Sequence, residues 1–135
     1  HDFEAKLASN PEELKTILTS PVESGLDYLH SSMRRFWESE FTGSKENLAY
    51  WTKKITNVPT IGVGSVGLDS DFIDMTAPAT PTSIDKAIDD ITNDKYDLIA
   101  VGRALLSDHE WVLKMKEGRV NDVIPYTKDA LLNLY

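Results

Sequence analysis

Three short apolar runs, each separated from the next by a stretch of helical spacing, constrain the fold of this chain more than any other feature. They are "LDYLH" at 26–30, "VPTIGV" at 58–63 and "YDLIAVG" at 96–102. Before the first, Asn10 is a candidate cap with Pro11 at the first helical position and Glu13 three residues on, and Leu14, Ile17 and Leu18 form an apolar stripe. "KENLAYWTKKI" repeats helical spacing through Leu48, Trp51 and Ile55. "SIDKAIDDITND" does so most clearly, with Ile84, Ala87, Ile88 and Ile91 at i, i+3, i+4 and i+7. The tail predicts a helix capped by Ser107 or Asp108 and stopped by Gly118, then a last helix capped near Thr127. Residues 31–44 read as a loop, as do 68–83, with a helical turn expected at 69–75. Strands alternating with helices at this spacing predict successive right-handed βαβ units and a parallel sheet. The continuous apolar character of 96–102 predicts burial on both faces. Ligands in such folds sit beyond the carboxyl ends of the strands, here 30–32, 64–66 and 102–103.

Length and composition narrow the function. At 135 residues with 41% apolar, the chain suits a single domain but falls short of the roughly 250 residues of an eight-stranded α/β barrel. It has no cysteine, so thiolate metal sites and disulfides are excluded. His1, His30 and His109 have no ligand spacing, so no metal site is expected. Twenty-two acidic against fourteen basic residues give a net charge of −8, the wrong sign for general attraction to nucleic acid or to an anionic membrane face. No apolar run approaches the roughly 20 residues of a membrane span, and no signal-peptide pattern opens the sequence. A soluble, cytoplasmic protein with no nucleic-acid or membrane partner is expected.

"IGVGSVG" matches G-x-G-x-x-G with Gly62, Gly64 and Gly67. A dinucleotide fingerprint opens directly into a helix and finds an acidic residue at the end of the next strand. Here two carboxylates, Asp69 and Asp71, follow the glycines, and the next strand ends in Gly102 and Arg103. A second reading uses two adjacent strand-end loops as one phosphate site. Gly64 and Ser65 would supply amides from one loop, and Gly102 and Arg103 amides and a guanidinium from the next, whose planar donor fork matches a phosphate. A third reading makes the glycines purely architectural. Ser65 lacks the preceding glycine of G-x-S-x-G, residue 63 being valine, so serine hydrolase chemistry is not expected.

"GLDYLHSSMRRFW", "VPTIGVGSVG" and above all "YDLIAVGRALLSDHEWVLKMKEGRVNDVIPY" resemble the C-terminal part of old yellow enzyme-like NADH:flavin oxidoreductases, which are FMN-dependent TIM barrels. The resemblance runs from Asn10 onward and is most specific where Asp97, Gly102 and Arg103 are followed by Leu106, Asp108, Trp111, Lys114 and Gly118. It implies an α/β fold that is a partial (β/α)8 TIM barrel, holding strands six to eight and the C-terminal helices, and a single C-terminal fragment over 1–135. It implies that Gly64, Ser65, Gly102 and Arg103 hold the phosphate of FMN, with Gly62 and Gly67 incidental to the ligand. The reaction implied is reduction of FMN by NAD(P)H and hydride transfer to a small-molecule electron acceptor such as an alkene beside a carbonyl. The family's catalytic residues come from the first five strands, so none is assigned here, and the fragment alone is expected to be inactive. Ser65 stands where the family commonly has a second glycine, and His109 where proline is usual.

Two other readings remain beside this one: a phosphate-binding barrel fragment of a metabolic isomerase or aldolase, and a non-catalytic assembly module. A fragment of a barrel exposes sheet edges and an open core face, which predicts self-association or contact with the missing N-terminal part. Simpler roles are expected elsewhere. His30 is read as a strand-end packing residue, Arg34 and Arg35 as solvated or paired with Glu38 and Glu40, and Trp37, Phe41 and Trp111 as core. Asp27 and Asp97 fall at strand beginnings, the stability end of a barrel.

Overall fold

The computed structural model describes residues 6–70 and 78–132. Helix α1 spans Pro11–Glu23, and its start follows the sequence: Asn10 Oδ1 accepts from Glu13 N at 2.9 Å, while the Glu13 carboxylate accepts from Ser9 N at 2.8 Å. The first bond satisfies an amide that the first turn leaves without a helical partner, and the second ties the residue before the cap back to the helix. Strand β1 is Leu29–Ser32, α2 is Leu48–Thr56 capped by Asn47, β2 is Thr60–Val63, α3 is Asp85–Thr92, and β3 is Leu98–Ile99. Two short helices follow, α4 (Arg103–Ser107) and α5 (Trp111–Lys116), then 3-10 turns at Val120–Asp122 and Lys128–Leu131.

The three strands form one parallel sheet in the order β1-β2-β3, with His30 opposite Ile61 and Ile61 opposite Leu98. Strand β1 therefore lies later than the expected 26–30, because 26–28 connect the end of α1 to the sheet and the ladder begins at Leu29. The last helix is only a 3-10 turn after Thr127, and α4, which was not expected, forms directly after β3. Most of the helical turn expected at 69–75 falls on 71–77, outside the described residues.

Successive strand residues face opposite sides of the sheet. On one side Ser31 Oγ donates to Thr52 Oγ1 of α2 at 3.0 Å, and a β-carbon on Gly62 would lie 3.2 Å from Ala49 of α2 and 3.4 Å from the Tyr96 ring. That face is covered by helices. The opposite face carries His30 and Ser32 on β1, Ile61 and Val63 on β2, and Leu98 on β3, all exposed or half-exposed, Leu98 by 60%. Expected burial of 96–102 on both faces is thus corrected, since no described element covers the second face of β3.

Helix α3 forms where its apolar spacing predicts, with Ala87 buried and Ile84 packed on the core, but departs from the expected stripe at Ile88. Ile88 is 52% exposed, and the buried positions are Ala87 and Asp90. Asp90 takes an inward place because its carboxylate accepts from Lys86 Nζ at 3.0 Å and from the hydroxyl of the fully buried Tyr96 at 3.4 Å, and pairs with Lys95 at 3.2 Å. A buried charge is tolerated only with such partners. At the amino-terminal edge of the sheet, Asp97 Oδ2 accepts from Thr60 N at 2.8 Å and Oδ1 accepts from Lys53 Nζ at 3.0 Å. Burial alone would raise the Asp97 carboxyl, but these bonds hold it below its ordinary value. Asp97 is a strand-start fastener, remote from the carboxyl ends.

Two apolar clusters pack among the described residues. Leu14, Leu18 and Phe41 pack between α1 and α2. Phe36, Val66, Leu68, Trp111, Val123 and Tyr126 pack around the carboxyl-end loops. Trp111 and Phe41 are core as expected, whereas Trp37 is 37% exposed and stacks edge-on against Phe36.

Candidate functional site

The carboxyl ends of all three strands open onto one cleft of about 230 Å³, lined among others by Ser32, Arg34, Gly64, Ser65, Gly102 and Arg103. All four residues expected at a phosphate site are therefore neighbours, although 64–65 and 102–103 are far apart in sequence.

Each is placed by a local constraint. Gly64 is required by close approach: an added β-carbon would sit 2.7 Å from Met33 O and 3.0 Å from Phe36 N, both backbone atoms. The loop after β1 rests directly on the end of β2, where Phe36 N donates to Gly64 O at 3.0 Å and Met33 N to Val63 O at 2.8 Å. Ser65 adopts the left-handed conformation, φ 50°, a region costly for a residue with a side chain. Its hydroxyl donates to Arg34 O at 3.1 Å and accepts from Arg103 Nη2 at 3.2 Å. Gly102 precedes α4, whose first internal bond runs from Leu105 N to Gly102 O. The amides of Arg103 and Ala104 are accordingly not consumed within that helix.

The Arg103 side chain joins the loop after β3 to the loop after β2. Besides Ser65 Oγ, its Nη2 donates to Ser70 O at 2.6 Å, and its guanidinium lies over the Tyr126 ring, 5.4 Å from the centroid. Tyr126 is held there by paired backbone bonds with Ala79, 2.8 and 3.1 Å. Sequence reasoning missed Ser70 and Tyr126 as supports of Arg103, and no local pattern marks either.

The remaining glycines of "IGVGSVG" are architectural. At φ 73°, Gly67 sits so close to Trp111 that a β-carbon would lie 2.8 Å from the ring, and Gly62 packs beneath α2. Neither lines the cleft. Arg35 pairs with Glu38 at 2.7 Å as expected, whereas Arg34 lines the cleft. His30 stays exposed on the open sheet face.

The chain is thus a mixed α/β unit whose strand ends carry an arginine and glycine cleft suited to an anion. No protein-family model matches it. It is similar to the NADH oxidase of Thermoanaerobacter brockii, with 34% identity over 120 residues, covering 83% of this chain and 16% of that protein. The chain spans less than a fifth of that relative's length. No helix among the described residues is long and apolar enough to cross a membrane.

Proposed function

We propose that this chain is the FMN-phosphate-binding portion of an NADH-dependent flavin oxidoreductase of the old yellow enzyme-like kind, with its strands serving as the sixth to eighth of a (β/α)8 barrel. The observation that carries the reading is the convergence of Gly64, Ser65, Gly102 and Arg103 on one cleft, in a chain similar to an NADH oxidase.

The residues fit a phosphate monoester. A guanidinium offers a planar donor fork, the amides at the start of α4 add donors, and Gly64 brings two loops close together. At about 230 Å³ the cleft is smaller than the roughly 300–1,000 Å³ that encloses a whole small ligand, so the chain's contribution is to the phosphate end. Bound FMN would supply the redox chemistry, taking hydride from the nicotinamide and passing it to an acceptor. Arg103 would neutralise and orient the phosphate, and Gly64 would let the loop after β1 rest against the end of β2 beside it. No catalytic residue is assigned to this chain.

Flavin fluorescence quenching tests the reading. FMN is expected to bind more tightly than riboflavin, and Arg103→Ala to weaken FMN by about tenfold while leaving riboflavin nearly unchanged, as expected for loss of a charge-assisted bond. Equal affinities for the two flavins in the parent chain would refute it.

The open sheet face supports the barrel geometry. His30, Ile61 and Leu98 lie across it in register, and the remaining strands of a longer polypeptide are the occupant we assign, since the similar oxidase is several times longer than the match. Without those strands the chain is expected to self-associate through this face. Sedimentation at several concentrations checks this, and a monomer at every concentration would count against it.

A further inference from the structure

We propose that Ser65 is a positioning residue that sets phosphate affinity by holding the Arg103 guanidinium in the cleft. The inference rests on the phosphate-site reading above and assigns a role within it.

The geometry gives Ser65 an unusual cost and an unusual set of contacts. Its left-handed backbone, φ 50°, is a conformation that glycine adopts freely and that serine adopts only where the surroundings impose it. Gly64, its neighbour, already supplies the close approach of the two loops, so the loop crossing itself does not call for a side chain at 65. The hydroxyl joins the two sides of the cleft: it donates to Arg34 O from the β1 loop at 3.1 Å and accepts from Arg103 Nη2 at 3.2 Å. Arg103 is thereby tied to Ser65 Oγ and Ser70 O and rests on the face of Tyr126.

Arginine side chains lose substantial rotamer freedom when they bind, and a guanidinium already held in place loses less on meeting its anion. Of Ser65, Ser70 and Tyr126, Ser65 is the one that shares the cleft wall with Gly64, Gly102 and Arg103. Its hydroxyl also has one hydrogen to give. With that hydrogen directed to Arg34 O, the oxygen is left as an acceptor for the arginine.

Ser65→Ala and Ser65→Gly separate the hydroxyl from the backbone. Both are expected to weaken FMN by about fivefold to tenfold and to leave riboflavin unchanged, with folding confirmed by circular dichroism. In an Arg103→Ala background, Ser65→Ala is expected to produce no further loss, because the hydroxyl acts through the arginine. The inference is overturned if Ser65→Gly binds FMN like the parent while Ser65→Ala does not, since the backbone would then be responsible. It is also overturned if the alanine effect persists undiminished without Arg103. If Arg103→Ala lowers FMN affinity but neither Ser65 variant does, this inference fails while the phosphate site stands. If the parent does not distinguish FMN from riboflavin, the phosphate reading itself fails and this inference with it.

Discussion

Replacing Asp108 with alanine is expected to destabilise the fold by about 3–5 kcal/mol, the loss typical when one partner of a buried ion pair is removed. Asp108 is 1% exposed, and Lys114 opposite it is 10% exposed. Its Oδ2 accepts from Lys114 Nζ at 2.7 Å and from Ile124 N at 3.0 Å, and its Oδ1 accepts from Glu110 N at 3.0 Å. One carboxylate thus joins the end of α4, the start of α5 and the segment leading to Tyr126. Alanine leaves a buried ammonium and two amides without their acceptor. The expected loss is a large share of the roughly 5–15 kcal/mol that holds a domain together. Urea unfolding measures it through the midpoint. Adding Lys114→Met to Asp108→Ala should restore part of the loss, because the orphaned charge is then removed as well. A double variant no more stable than Asp108→Ala would contradict the ion-pair account.

The same carboxylate predicts a pH dependence. Burial by itself would raise its pKa, but the Lys114 ammonium and the two amides hold it below the ordinary carboxylate value. Its contribution is therefore complete above the unfolded value of about 4 and is lost as pH falls through the lower folded value. Stability should decline on acidification below about pH 4, and less steeply in Asp108→Asn.

Gly64→Ala is the second large effect, expected to cost about 2 kcal/mol and to lower the melting temperature by roughly 5–10 °C. The new methyl group would stand 2.7 Å from Met33 O and 3.0 Å from Phe36 N. Both are backbone atoms, so no side-chain rotation relieves the contact. The loop after β1 must move away from the end of β2, stretching the bond from Phe36 N to Gly64 O. Ser65 and Arg34 lie on the two sides of that crossing, so the cleft is distorted with it, and FMN is expected to bind less tightly than to the parent. Calorimetry and flavin titration check the two effects. An unchanged melting temperature would show that the crossing yields freely and that Gly64 is dispensable there.

Local chemistry made several features legible in advance. Asn10, Pro11 and Glu13 predicted the start of α1 because a cap is formed by residues within one turn. The alternation of apolar strands with helical segments predicted a parallel α/β arrangement, and the strand ends predicted where Gly64, Ser65, Gly102 and Arg103 would meet. What the four residues would do with a ligand rests on the chemistry of guanidinium and amide donors, which is also written in their identities.

Other features depended on partners distant in sequence. Asp90 turns inward because Tyr96 and Lys95 give its carboxylate a place inside, and Ile88 drops out of the apolar stripe of α3 while Ile84 and Ala87 keep to it. Leu98 belongs to an apolar run yet is exposed, since burial of a strand depends on what lies over each face. The left-handed Ser65 and the seat of Arg103 on Tyr126 arise only when the loops after β1, β2 and β3 are brought together. The sequence by itself determined the alternation of strands and helices and which residues stand at the strand ends, because capping, periodicity and side-chain chemistry act over a few residues. Only the tertiary structure decided which faces are covered and how the arginine is held, because those depend on contacts between segments tens of residues apart.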